Sequence, residues 1–209
     1  MTGQCGALDV PPDSIALLGG AIRYALGACA QVRPAELRRP TPCPAWDLRA
    51  LLAHLAASMA DLTSGLRAGS LELTAPAPAA PDGRDGRDDA GDPVEIVRDQ
   101  AANLLVTCYA HHGRDRFVLV GGVPLAAGIV ACAAALEITV HGWDVSAARG
   151  QAEEIPPGLA ASILQLSPLL VASRDGLFAA PVAVPADAGP GRRLVAFLGR
   201  GPFPGPVAG

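Results

Sequence analysis

The stretch from Pro124 to Arg149 is apolar almost throughout, yet it carries Glu137 and His141 four residues apart. A run of that length and composition predicts a long helix, opened by Pro124 and closed near Arg149 with Gly150 as its C-terminal cap. On a helix, residues four apart share one face, with about 5–6 Å between their Cβ atoms. A carboxylate and an imidazole held that way can share one metal ion. The rest of the chain must then supply a third ligand and an opening.

Further helices follow from the apolar periodicity. Asp13–Ser14 starts the first, whose stripe Ile15, Leu17, Leu18, Ile22, Leu26 runs to about Val32. The segment from Arg38 to Trp46 contains Pro40, Pro42 and Pro44 and reads as a rigid connector. Asp47 then caps a second helix, from about Leu48 to Arg67, with the stripe Leu48, Leu51, Leu52, Leu55, Met59, Leu62, Leu66. A third runs from Pro93 to about His111, a fifth from about Pro157 to Ser173, and a short last one from Gly191 to Leu198. Phe117–Val120 reads as a short extended segment ended by Gly121–Gly122, and Ala180–Val184 as another. Residues 1–12 are expected to form a flexible leader, 69–93 a flexible loop, and 201–209 a tail. One domain over 13–200 is the expected organisation.

Composition narrows the partners. The chain has 209 residues and a net charge of −4, with 16 basic side chains, all Arg. A nucleic-acid surface is normally basic, so none is expected. No apolar run reads as a membrane span: residues 118–140 are interrupted by Gly121, Gly122, Pro124 and Gly128 and contain Glu137. The start lacks the charged-then-apolar pattern of a signal peptide, so a cytoplasmic location is expected. Cys5, Cys29, Cys43, Cys108 and Cys132 are scattered, odd in number and form no CxxC pair, which fits reduced thiols. Half the residues are hydrophobic and 4% are aromatic. Ala, Leu and Val carry the apolar content, which favours closely packed helices.

His54 lies at the edge of the second helix's stripe. Alone, it reads as a core-edge histidine satisfied by a hydrogen bond rather than as a ligand. In an antiparallel bundle, however, His54, Glu137 and His141 can face one interior point. Two imidazoles and one carboxylate leave a coordination position open, the pattern of a catalytic zinc site, and also suit Fe(II), Mn(II) or Ni(II). Val130, Ala133 and Ala134 are small neighbours at helical spacing and leave room for a ligand.

Two motifs add to this. Thr41–Pro42–Cys43–Pro44–Ala45–Trp46–Asp47–Leu48–Arg49–Ala50–Leu51–Leu52–Ala53–His54–Leu55 closely resembles the "TPCPGWxVRxLLxHL" signature of the DinB-like superfamily, in its mycothiol-dependent maleylpyruvate isomerase branch. Glu137 to Asp144, read as "ExxxHGWD", resembles the second signature of that branch. Gly121–Gly122–Val123–Pro124 and Arg193–Arg200 are also similar to it. The resemblance covers about Ser14 to Arg200. It implies an all-α fold: a DinB-like four-helix bundle with a short extended segment and a small C-terminal appendage. It also implies a divalent metal held by His54, Glu137 and His141, which activates a low-molecular-weight thiol, mycothiol, as co-substrate. A metal lowers a thiol's pKa, and the thiolate is the nucleophile.

Other residues take expected roles. Asp144, three residues after His141, orients a ligand from the second layer or else bonds a helix end or an arginine. Trp46 and Trp143 are expected to pack the end of the bundle. Cys43 belongs to the motif and reads as a structural residue of the connector. His111 and His112 are expected on a surface loop. Arg49, Arg98, Arg149 and Arg174 are unranked candidates for holding a carboxylate of thiol or substrate. The chain after the fifth helix is shorter than the C-terminal domain of the longer maleylpyruvate isomerases, so the likeness is to the shorter metal-binding relatives. The expected activity is thiol-dependent isomerisation or S-transfer on a small metabolite. The alternatives are a thiol-independent Lewis-acid enzyme such as a cyclase or hydrolase, or a metal- or ligand-binding protein without catalysis. A homodimer is compatible with all of these.

Overall fold

The structure, a computed structural model, describes residues 13–44, 46–72, 91–111, 116–151, 153–171, 174 and 178–201. The leader (1–12), most of the loop (73–90), His112 and the tail from 202 lie outside the described residues. The helices are α1 (Ser14–Cys29), α2 (Leu48–Ala68), α3 (Pro93–His111), α4 (Ala127–Ala148), α5 (Pro157–Leu170) and α6 (Pro190–Phe197). Three short strands accompany them: β1 (Ser70–Leu71), β2 (Phe117–Val120) and β3 (Val123–Ala126). The all-α expectation holds, and the expected extended segment is one strand of a small sheet.

Helices α1 to α4 form a bundle in which α4 lies between α1 and α2, and α3 closes the ring on the other side. The stripe expected for α2 is its buried face: Leu48, Leu51, Leu52 and Leu55 are fully enclosed. Each contributes roughly 1.5–3 kcal/mol by leaving water. Leu18 and Ile22 from α1, Leu104 from α3 and Ile138 from α4 meet them. Helices α5 and α6 cover the opposite side of α4. There Leu136, Val140 and Trp143 form a second core with Ile155, Ile163, Leu194 and Leu198. Helix α4 is thus enclosed from both sides, which explains why its sequence is apolar all round. Among the described residues it alone is long and apolar enough to cross a membrane, and 83% of that stretch is buried within the protein.

The connector before α2 is built as its sequence requires. Asp47 caps the helix, its carboxylate accepting the Ala50 N–H at 2.9 Å. The Leu48 and Arg49 N–H groups donate back to Arg39 and Leu37 carbonyls at 2.9 and 2.8 Å. The Thr41 hydroxyl accepts the Cys43 N–H at 3.1 Å and donates to the Trp46 carbonyl at 2.9 Å. These bonds fold the proline-rich chain against the first turn of α2 and fix Trp46 above it.

One expectation needs correction. Pro124 does not open α4; it stands in β3, opposite Leu119 of β2, and the helix begins at Ala127. Gly121 and Gly122 have φ of +55° and +82°, so they form a two-residue hairpin turn rather than a simple strand end. Proline is accommodated because β3 is the edge of a sheet ordered β1-β2-β3, where an N–H is dispensable. Strand β1 occupies the start of the expected loop and pairs in parallel with β2. Helices α1 and α5 stop three residues short of the expected ends, and α6 begins and ends one residue early. Ala180–Val184 is extended without being a strand, with the Val182 N–H bonded to the Ala196 carbonyl at 2.9 Å.

Candidate metal centre

His54 projects from the second turn of α2, and Glu137 and His141 from successive turns of α4. Their donor atoms lie within 4.8 Å of one another. His54 Nε2 is 3.4 Å from Glu137 Oε1. The two imidazole rings stand edge-on, 5.1 Å apart at 85°. Exposure rises from 9% for the His141 side chain to 19% for His54 and 35% for Glu137, so the group opens to solvent on the Glu137 side. Ala133, one turn before Glu137, is exposed and leaves that approach clear.

The electrostatics favour an ionised carboxylate. Burial pushes the Glu137 carboxyl up, but the His54 hydrogen bond, the electrostatic interaction with His141 and a hydrogen bond from Ser58 outweigh it and hold it below the usual range. Ser58, to which the motifs assign no role, lies one turn after His54 on α2. The i, i+4 spacing from His54 is the signal that identifies it.

Behind this group lies a second layer. Asp144 is fully buried, and its Oδ2 lies 3.0 Å from His141 Nδ1, within hydrogen-bond distance. Arg200 also binds it, with Nη2 2.9 Å from Oδ2 and Nε 3.3 Å from Oδ1, so the expected bond to an arginine is present. Burial raises the Asp144 pKa, but the His141 bond and the Arg200 charge hold it below the usual range. Cys43 Sγ stands 3.5 Å from Asp144 Oδ2 and 3.4 Å from Arg200 Nη2. Burial, with Asp144 beside it, pushes the Cys43 thiol up to about 12, so it stays protonated. That agrees with a structural role. Arg200 ends the Arg193–Arg200 motif, and nothing in the linear sequence ties it to Asp144.

The aromatic residues divide. Trp143 packs in the second core, as expected. Trp46 packs against the main core and also lies 4.3 Å from the His54 ring and 6.1 Å from that of His141. It therefore walls the histidine pair as well as closing the bundle.

The arginine candidates are placed elsewhere. Arg149 Nε is 3.3 Å from Glu36 Oε2, and Arg98 pairs with Glu95 on the surface of α3. Arg174 covers the Phe197 ring at 4.6 Å, and Arg49 is exposed on the first turn of α2. His111 bonds the Thr107 carbonyl of its own helix at 2.6 Å.

The model of the mycothiol maleylpyruvate isomerase N-terminal domain family matches residues 18–146. The chain belongs to this family. The match spans α1 to α4 and takes in His54, Glu137, His141 and Asp144, whereas Arg200 lies beyond it. No curated protein and no solved structure matches the chain.

Proposed function

We propose that the protein is a cytoplasmic, divalent-metal-dependent enzyme that uses a low-molecular-weight thiol, mycothiol, for isomerisation or S-transfer on a small metabolite. One observation carries this reading: three donors from two helices converge within 4.8 Å and face solvent on one side. The donor chemistry fits a divalent cation, with zinc favoured and Fe(II), Mn(II) or Ni(II) suited to the same set. Two neutral imidazoles and one carboxylate contribute a single negative charge, so a dication there keeps a net positive charge. Such a cation supplies Lewis acidity, which lowers the pKa of a thiol brought to the open side.

The chain's own residues prepare the rest. His54 and Ser58 keep the Glu137 carboxylate ionised and pointed at the histidines. Trp46 covers one flank of the His54 ring. The partner chemistry is a small molecule, and the acidic balance of the chain supports no nucleic-acid role.

Elemental analysis of the purified protein, beside the His54→Ala variant, tests the centre. About one divalent ion per wild-type chain and a large loss in the variant are expected. Full occupancy in His54→Ala would refute the centre as drawn. Turnover of a conjugated acid or an electrophile with and without mycothiol tests the thiol. Turnover indifferent to mycothiol would point instead to a Lewis-acid enzyme, and none at all to a binding protein.

A further inference from the structure

We propose that Arg200 is a positioning residue of this centre: through Asp144 it fixes the tautomer of His141 and keeps a second set of donors free of metal. The proposal rests on the metal reading above but makes its own claim about the protein without metal.

Cys43, His141 and Asp144 also have donor atoms within 4.8 Å of one another. A thiol, an imidazole and a carboxylate at that separation are a zinc-type set, and it shares His141 with the first group. The Arg200 guanidinium already lies across it. Its Nη2 reaches both Asp144 Oδ2 at 2.9 Å and Cys43 Sγ at 3.4 Å, and its Nε reaches Asp144 Oδ1 at 3.3 Å. Nη1 is tied down by the Leu198 carbonyl at 3.1 Å, and the side chain is 10% exposed. A guanidinium never gives up its charge in a protein, and its planar fork matches a carboxylate. Arg200 is therefore a permanent, fixed cation in a place where a metal could otherwise bind.

The consequence reaches His141. A carboxylate paired with Arg200 only accepts hydrogen bonds, so His141 Nδ1, 3.0 Å from Oδ2, carries the proton. The Nε2 lone pair is then left for the group formed with His54 and Glu137. Without Arg200, the fully buried Asp144 loses its counter-charge. Its oxygens, with Cys43 Sγ and His141, are then uncovered for a metal. The Arg200 backbone is held by the turn after α6, its N–H bonded to the Val195 carbonyl at 2.9 Å. The C-terminal segment, outside the span matched by the family model, thus sets the state of a residue at its centre.

Nitrogen-15 NMR of the imidazoles in metal-free wild-type protein is the first test. His141 protonated on Nδ1 is expected; protonation on Nε2 alone would overturn the proposal, whether or not metal binds. Cobalt(II) titration is the second. Wild type should bind one equivalent with no thiolate-to-cobalt band in the near ultraviolet. Arg200→Met should weaken binding at the first set about tenfold, in line with loss of a ligand-orienting partner, and gain the thiolate band as cobalt competes for His141 at the second set, the Cys43 proton going to solvent. The band should vanish in Arg200→Met/Cys43→Ser, and Arg200→Lys, which keeps the charge but not the fork, should show no band while binding the first equivalent more weakly than wild type. Arg200→Met with the wild-type affinity, spectrum and His141 tautomer would refute the proposal. If Arg200→Met does not fold, the wild-type tautomer and Arg200→Lys still decide. Wild type that keeps the Nδ1–H tautomer but takes up no cobalt would refute the metal reading alone.

Discussion

A Cβ on Gly142 would stand 2.9 Å from the Cα of Ala25. The contact is with backbone, so no side chain can swing away to relieve it. This is where α1 crosses α4, one residue after His141. Gly142→Ala must force the helices apart or bend one of them. A loss of about 1–3 kcal/mol is expected for such overpacking, read as a fall of roughly 2–10 °C in Tm. Because His141 rides on the displaced turn, cobalt(II) binding should weaken as well, unlike that of a control Ala substitution at exposed Gly158.

Glu36 joins distant parts of the chain. Its buried carboxylate lies 3.2 Å from both Arg33 and Arg39 and 3.3 Å from Arg149, the residue that closes α4. The Arg33 side-chain and backbone hydrogen bonds, aided by Arg149, hold its pKa down to about 2 from an ordinary 4.5. A carboxylate whose pKa is lower folded than unfolded stabilises the protein above its unfolded value. That stabilisation declines as pH falls from about 4.5 towards 2. Denaturation across this window should show wild type losing stability more steeply than Glu36→Gln. Parallel curves for the two proteins would refute the role given to Glu36.

Trp46 offers an optical report on the centre. It lies 4.3 Å from the His54 ring, and it is one of two tryptophans in the chain. Copper(II) or nickel(II) bound beside His54 should quench its emission in step with occupancy. Trp46→Phe should remove most of the quenching while leaving uptake of metal intact. Equal quenching in the variant would mean that the ion binds elsewhere.

Ser58 supports Glu137 without being one of the three donors. Ser58→Ala should leave thermal stability nearly unchanged and weaken metal affinity by about tenfold, as removal of a partner behind a ligand does. Ser58→Thr, which keeps the hydroxyl, should restore most of it. Affinity untouched by Ser58→Ala would sink this role.

Much of the site was legible because its determinants are local. Glu137 and His141 share a helix face by spacing alone, and the turn chemistry of Asp47 and the prolines places His54 at a known point along α2. Those features depend on residues within a few positions of one another, where backbone geometry leaves little choice. The misreading at Pro124 was also local. The Gly121–Gly122 pair signals a hairpin, and a proline after it suits an edge strand as well as a helix start.

What tertiary structure alone decided is long-range. Arg200 meets Asp144 across 56 residues, and Arg149 meets Glu36 across 113. No periodicity links such positions: a charged side chain finds its partner only when the packed core has already chosen which helix ends lie together. The sequence by itself determined the helices, their buried faces and three donors able to share one ion. The way α5, α6 and the turn at Gly199 close over α4 decided which cation holds Asp144, and through it which nitrogen of His141 faces the centre.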